Sequence, residues 1–239
     1  IEDDNFTFDR RHAVAICEEI LRRNLKFIWS LPNGVRIDKL DEELLSLMRR
    51  AGCYLMALGI ETPNQRVLDM ILKRLDAELV RKTVANVRNA GIETVGFFML
   101  GFPTETREEI HNTIDFALSL PLTRLQFTKV TPLPGTSIYG YWKQQNEGET
   151  IDWSNFNYYD FQPDWSAIST KEISKLQRQG FRRFYLKPRN FWRLFRDIKF
   201  RQLGFLSVRI YFVGFLGKFM LRKRRAGRQI AFGSDTTRD

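Results

Sequence analysis

The hydrophobic pattern of this chain alternates between two periods. Apolar or mixed runs near residues 26–31, 54–59, 92–100 and 123–130 read as strands, and the segments between them carry apolar residues at helical spacing. The runs recur every roughly 30 to 40 residues, the period of a strand, a crossover helix and a parallel strand. The most sharply defined unit is Gly96 to Thr106, GFFMLGFPTET. Val95 and Phe97 to Leu100 form a run without a polar break, the pattern of a parallel strand covered on both faces. Gly101 then permits a positive φ and Pro103 stiffens the loop. Thr106 with Glu109 makes a T-x-x-E capping box opening a helix that carries Ile110, Ile114 and Leu118.

Start and stop signals agree with this alternation. Asp41 and Asp76 read as N-caps, Gly52 and Gly91 as residues just past helix C-termini, and Thr62-Pro63-Asn64-Gln65 as an N-cap Thr followed by a first-turn Pro. Ser169 with Glu172 predicts a further helix running to about Leu186 and stopped by Pro188. Between these lies an aromatic, polar stretch without periodicity, predicted to fold over the mouth of the sheet as a long loop. The expected division is a core at 1–140, that loop at 141–168 and a helical extension at 169–239.

Composition adds a core of ordinary size, with 43% hydrophobic and 28% charged residues over 239 positions, enough for one medium domain and an appendage without disulfides. Cys17 and Cys53 read as buried, reduced thiols of a cytoplasmic protein. His12 and His111 stand alone on helices, so no metal site is expected from the chain itself. Charge divides the sequence: residues 1–177 hold 21 Lys+Arg against 25 Asp+Glu, whereas residues 178–228 hold 16 Lys+Arg against Asp197 alone. The chain opens at Ile1-Glu2-Asp3-Asp4-Asn5-Phe6, without Met or a signal peptide, which reads as a strand end entered in mid-fold and predicts a fragment.

The succession IEDDNFTFD, SLPNGVRID, LDEELLSLMRRAGCYLMALGIETPNQRVLDMI, GFFMLGFPTETREEI and QFTKVTPLPGTSIY resembles the radical S-adenosylmethionine (radical SAM) superfamily over about residues 1 to 140. It is most similar to the branch with a cobalamin-binding N-terminal domain, which includes magnesium-protoporphyrin monomethyl ester cyclase-like proteins. The resemblance implies an α/β fold, part of a (β/α)6 partial TIM barrel from the second strand onward, with a basic helical C-terminal extension. The family's cluster motif, C-x3-C-x2-C after the first strand, is absent. The resemblance therefore implies that the ligands of a [4Fe-4S] cluster, and the domain for cobalamin, lie outside this chain, and that the 239 residues alone do not reduce S-adenosylmethionine.

Residue by residue, the resemblance places Asp3 and Asp4 at the methionyl ammonium, with a turn acid as the plainer alternative. Arg36 falls at the methionyl carboxylate, with Ser30 and Asn33 as lesser polar candidates; a surface ion pair with Asp38 or Asp41 is the alternative. Glu61 falls at the ribose hydroxyls and is the strongest candidate, against a helix-start acid, and Thr62 keeps a hydroxyl beside it. Gly96 and Gly101 would let backbone approach the nucleoside, with Phe98 or Leu100 as an apolar face for adenine. Thr131, in the proline-stiffened VTPLPGTSIY, would meet the adenine edge. Ordinary packing and turn formation are the alternatives for this last group.

The implied chemistry is reductive cleavage of S-adenosylmethionine to a 5′-deoxyadenosyl radical, with methyl transfer in cobalamin-dependent members, on a small, hydrophobic organic substrate. The basic tail, in which Phe191, Trp192, Leu194 and Phe195 interleave with Arg189, Arg193 and Arg196, predicts peripheral attachment to an anionic membrane surface over residues 189–225. Leu203 to Leu221 is interrupted by Arg209 and Lys218 and reads as interfacial rather than spanning. Nucleic acid is the least favoured partner. A non-catalytic binding module attached through this tail stays open as the alternative to the enzyme.

Overall fold

Four strands pair in the order β1 (Trp29–Val35), β2 (Cys53–Glu61), β3 (Glu93–Leu100) and β4 (Arg124–Lys129), and every pairing is parallel. This is the arrangement in a computed structural model that describes residues 1–3, 5–145 and 166–197. Asp4 and most of the predicted loop lie outside the described residues. The intervening helices are α1 (Arg10–Arg22), α2 (Glu42–Arg50), α3 (Gln65–Met70), α4 (Ala77–Asn89) and α5 (Arg107–Ser119), followed by α6 (Ser137–Gln145), α7 (Thr170–Tyr185) and α8 (Pro188–Asp197). The chain divides into two units, Ile1–Leu186 and Lys187–Asp239.

The helix boundaries follow from local chemistry. Asp9, Asp41 and Asp76 accept hydrogen bonds from first-turn amides, Thr106 and Glu109 form a complete capping box, and Ser169 caps α7. Each cap contributes about 1 kcal/mol. Gly52 and Gly91 follow α2 and α4 at φ +99 and +77, the left-handed termination the sequence predicts. Pro188 has a second role, opening α8 at a position where a missing N–H costs nothing.

One face of the sheet carries the main core. Trp29, Leu31, Val35, Met56, Leu58, Ile60, Phe98, Leu100, Leu125 and Phe127 pack with the buried stripes of α1, α2, α4, α5 and α7. β3 alternates strictly, so Thr94, Gly96, Phe98 and Leu100 are buried while Glu93, Val95, Phe97 and Met99 are half-buried on the opposite face. The expectation of a strand covered on both faces holds unevenly: the main helix layer buries the even residues, while of the half-buried Val95, Phe97 and Met99 on the other face Met99 packs into a smaller cluster with Val67 and Met70 of α3 and Ile138 of α6. The final strand is sealed along its outer edge by α7, where Gln177 Nε2 donates to the Phe127 carbonyl at 2.7 Å and the Tyr185 hydroxyl donates to the Leu125 carbonyl at 3.0 Å. Gly180 allows this approach, since a Cβ there would lie 2.9 Å from the Phe127 ring.

Candidate functional site

The C-terminal ends of the strands form one rim. Register pairs Val35 with Leu58, Glu61 with Phe98 and Leu100 with Lys129, and the Val130 amide donates to the Leu100 carbonyl at 3.0 Å. Arg36, Glu61, Gly101 and Thr131 therefore leave neighbouring strand ends. Ligands of parallel α/β sheets bind at such ends.

Glu61 is the last residue of β2 and adopts φ +65, a left-handed conformation that costs an L-residue about 1–2 kcal/mol. Its Oε1 accepts from Lys73 Nζ at 2.6 Å, and the same ammonium donates to the Gly59 carbonyl at 2.9 Å. A Cβ on Gly59 would lie 3.2 Å from both Glu61 Oε1 and Lys73 Nζ, so the glycine makes room for the pair on the face away from the helices. Glu61 precedes the α3 N-cap, Asn64, by three residues, and α3 has no acid in its first turn; the helix-start alternative is not what forms.

Thr62 departs from its expected place. Its hydroxyl lies 2.9 Å from the Thr113 hydroxyl and accepts from Asn64 Nδ2 at 2.9 Å, and the residue is buried, so the oxygen is committed to a network tying the β2–α3 loop to α5. That network also explains why Asn64 rather than Thr62 stands at the helix start.

The loop after β3 is built on a second glutamate. Glu105 is fully buried, and its Oε2 accepts from the Gly101 amide at 2.6 Å and the Phe102 amide at 3.1 Å. Burial pushes its pKa up to about 7, against the two amides that favour the charged form; nearby Glu109 raises it further and Arg66 opposes. Oε1 has no partner among the described residues. Gly101 and Thr104 both take positive φ, +85 and +60, and Arg66 reaches over from α3 to Thr104 Oγ1 at 3.0 Å and to the Glu109 carboxylate at 2.7 Å.

The remaining candidates divide. Thr131 is buried with a hydroxyl that finds no partner among the described residues, which suits a ligand edge. Asp3 Oδ1 accepts from the Asn5 amide at 2.7 Å, the turn geometry of its plainer alternative. Arg36 forks onto Asp38 at 3.0 and 2.8 Å, which raises the guanidinium pKa and matches the surface ion pair. Ser30 is half-buried, and its carbonyl accepts from the Ile1 nitrogen at 2.9 Å, while Asn33 is exposed. Gly96 sits in mid-strand opposite Leu58, and a Cβ there would meet Leu122 at 2.7 Å and Phe98 at 2.8 Å, so its smallness serves the helix-side core. Phe98 and Leu100 lie in that core as well, with Phe98 packed 5.6 Å from Phe127. The even residues of β3 all point there, and the nucleoside face expected of these two is unavailable.

Lys73, Glu105 and Arg66 were not anticipated. Lys73 carries a legible signal, a cation in the polar step between α3 and the Asp76 cap. Glu105 reads as an exposed loop acid until the fold buries it.

Cys17 and Cys53 are fully buried, and burial pushes their thiols up to about 11 and about 12. Among the described residues no three His, Cys, Asp or Glu side chains gather to hold a metal. These residues do not fit an iron–sulfur cluster. A groove of about 420 Å³, lined by Pro63, Asn64, Arg81, Asp115, Phe116 and Ser119, contains none of the rim candidates; Arg81 already stacks over Phe116 at 4.7 Å and donates to Ser119 at 2.9 Å. Among the described residues no helix is long and apolar enough to cross a membrane.

Residues 5–117 match the profile of the Radical SAM superfamily. The chain carries a radical SAM domain. It is 32% identical over 207 residues to an uncharacterized methyltransferase of Pyrococcus horikoshii, covering 87% of this chain and 44% of the relative. It is 27% identical over 191 residues to the anaerobic magnesium-protoporphyrin IX monomethyl ester cyclase of Rubrivivax gelatinosus, covering 78% and 33%. The chain thus spans less than half the length of these curated relatives. In fold, the radical SAM domain is similar to the radical S-adenosylmethionine methyltransferase TsrM of Kitasatospora setae, with a TM-score of 0.53 and 23% identity over 59% of this chain and 29% of that one. The four parallel strands and their crossover helices are a part of such a barrel.

Proposed function

We propose that this chain supplies the S-adenosylmethionine-binding wall of a radical SAM enzyme that modifies a small organic substrate by methyl transfer, cyclisation or rearrangement. The observation that carries the reading is Glu61: a carboxylate at a strand end, in a strained backbone conformation, held on the open face by a cation. Such a group accepts from a vicinal diol, and the unpartnered Thr131 hydroxyl on the same rim suits the polar edge of a base. The fit extends to the nucleoside. For the amino-acid end, Arg36, which follows the end of β1, is the candidate on the rim, and Asp3, Asp4, Ser30 and Asn33 are kept as candidates from the sequence alone; Arg36 would exchange its Asp38 partner for a carboxylate.

S-adenosylmethionine supplies the adenosyl and sulfonium groups that such reactions consume. This chain's part is to orient them and to exclude water. The thiolates of an iron–sulfur cluster would come from outside residues 1–239, in the full-length protein, along with any cobalamin domain. The methyltransferase and cyclase relatives favour an enzyme over a non-catalytic module. Anaerobic incubation of the reduced full-length protein with S-adenosylmethionine tests the reading: 5′-deoxyadenosine or S-adenosylhomocysteine is expected, and neither product from protein with a complete cluster would contradict it.

We also propose that residues 189–225, of which 198–225 lie outside the described residues, rest on an anionic membrane surface. In the second unit, α8 exposes Phe191 and Trp192 beside Arg189. Each basic residue near such a surface contributes about 1 kcal/mol. Salt-sensitive co-sedimentation with anionic but not neutral liposomes is expected; tight duplex DNA binding without lipid binding would overturn it.

A further inference from the structure

We infer that Lys73 is the positioning residue for Glu61, and that it fixes the discrimination of ribose from deoxyribose at this rim. The inference rests on the reading of Glu61 as the ribose acceptor. A carboxylate selects a diol only if its free oxygen is aimed and held. Glu61 sits at the end of a strand in a backbone conformation that only surrounding contacts maintain, and the register of β2 on β3 breaks between Gly59 and Glu61. Lys73 makes two contacts there, to the carbonyl before the break and to the carboxylate after it, and so bridges the irregular step.

The chain is shaped to deliver this ammonium. After α3, Leu72 takes φ +56 although it is a leucine, and 84% of its surface is exposed, so no burial of its side chain accounts for the turn. The turn sends the Lys73 amide back to the Leu68 carbonyl at 2.9 Å and the side chain to the end of β2. Glu61 and Leu72, two strained residues, thus bracket the segment that brings the cation to the acid. Because Lys73 takes Oε1, Oε2 is the oxygen left for a ligand. The Lys73 and Glu61 side chains are 27% and 19% exposed, enough shielding for the pair to be directional and enough opening for a ligand to reach it.

The test uses the full-length protein and calorimetric titration with S-adenosylhomocysteine and its 2′-deoxy analogue, on the parent, Lys73→Met, Lys73→Arg, Glu61→Gln and the Lys73→Met/Glu61→Gln double variant, with thermal unfolding run on each. Lys73→Met is expected to weaken S-adenosylhomocysteine about tenfold and to bring the ribose-to-deoxyribose affinity ratio towards one, the range for a lost contact to a charged group. Lys73→Arg, which keeps the charge, recovers most of the ratio. The double variant binds within about twofold of Glu61→Gln alone, since residues acting as a unit are not additive. Should Lys73→Met not fold, Lys73→Gln is read in its place. A Lys73 variant with parental affinity and ratio beside a weakened Glu61→Gln would overturn the role of Lys73 while leaving Glu61 standing. Additive losses in the double variant would also overturn it, and an unchanged Glu61→Gln would remove the reading beneath it.

Discussion

One glutamate ends β2 and another stands in the loop that follows β3, and their surroundings give them opposite work. Glu61 meets a cation, keeps an oxygen towards the open face and sits in a strained backbone. Glu105 is fully buried, forms no ion pair among the described residues and spends one oxygen on two loop amides, and burial raises its pKa to about 7. A carboxylate that serves a ligand must stay accessible and oriented, whereas one that builds a loop is worth most when water is excluded. The contrast teaches that residue type at a strand end does not assign a role; partners and burial do.

The contrast breaks most visibly in stability. Glu105→Ala removes the carboxylate that accepts from the Gly101 and Phe102 amides in a buried loop, and a loss of about 3 kcal/mol is expected in denaturant unfolding. A loss below about 1 kcal/mol would mean that water reaches the loop.

The pH dependence has a definite sign. The folded value of about 7 lies above the ordinary 4.5, so between these limits the folded protein holds a proton that the unfolded chain has released. The stabilising contribution is fully present below about 4.5 and is lost as pH rises through about 7. About 3 kcal/mol is at stake as the carboxyl moves from 4.5 to about 7. The proton belongs on Oε1, leaving Oε2 to accept both amides. Glu105→Gln keeps an acceptor and cannot titrate, so unfolding measured from pH 4.5 to 7.5 should lose this slope; an unaltered slope would assign it to another group.

Gly101→Ala sharpens the account of the same loop. At φ +85 an L-residue is strained by about 1–2 kcal/mol, and the new methyl would sit 2.9 Å from Ile173 Cδ1, so destabilisation of about 2 kcal/mol is expected. Glu61→Gln, by comparison, should unfold within about 1 kcal/mol of the parent, because a partly exposed ion pair contributes little to stability.

Much of the fold was legible because local signals agreed with one another. The strand runs, the aspartate caps, the two helix-ending glycines and the T-x-x-E box are all decided within a few residues, and the family's motifs follow their order. What escaped depended on tertiary facing. Phe98 and Leu100 read as available to a nucleoside, but strand alternation against a helix layer sends them into the core and leaves Phe97 and Met99 opposite. The Thr62 hydroxyl is claimed by Thr113, 51 positions away, a contact with no sequence signature. The partner of Lys73 and the burial of Glu105 were hidden for the same reason. The ion pair spans 12 positions across a turned loop, and the raised pKa comes chiefly from burial, which only the fold creates.

The central claim is that Glu61 binds and Glu105 builds. Calorimetric titration of the full-length protein with S-adenosylhomocysteine at pH 7, on the parent, Glu61→Gln and Glu105→Gln, tests it most directly. The account predicts that Glu61→Gln loses at least about tenfold in affinity, from a hydrogen bond to a charged group, while folded Glu105→Gln binds within about threefold of the parent. Parental affinity in Glu61→Gln, with the loss appearing in Glu105→Gln instead, would contradict it.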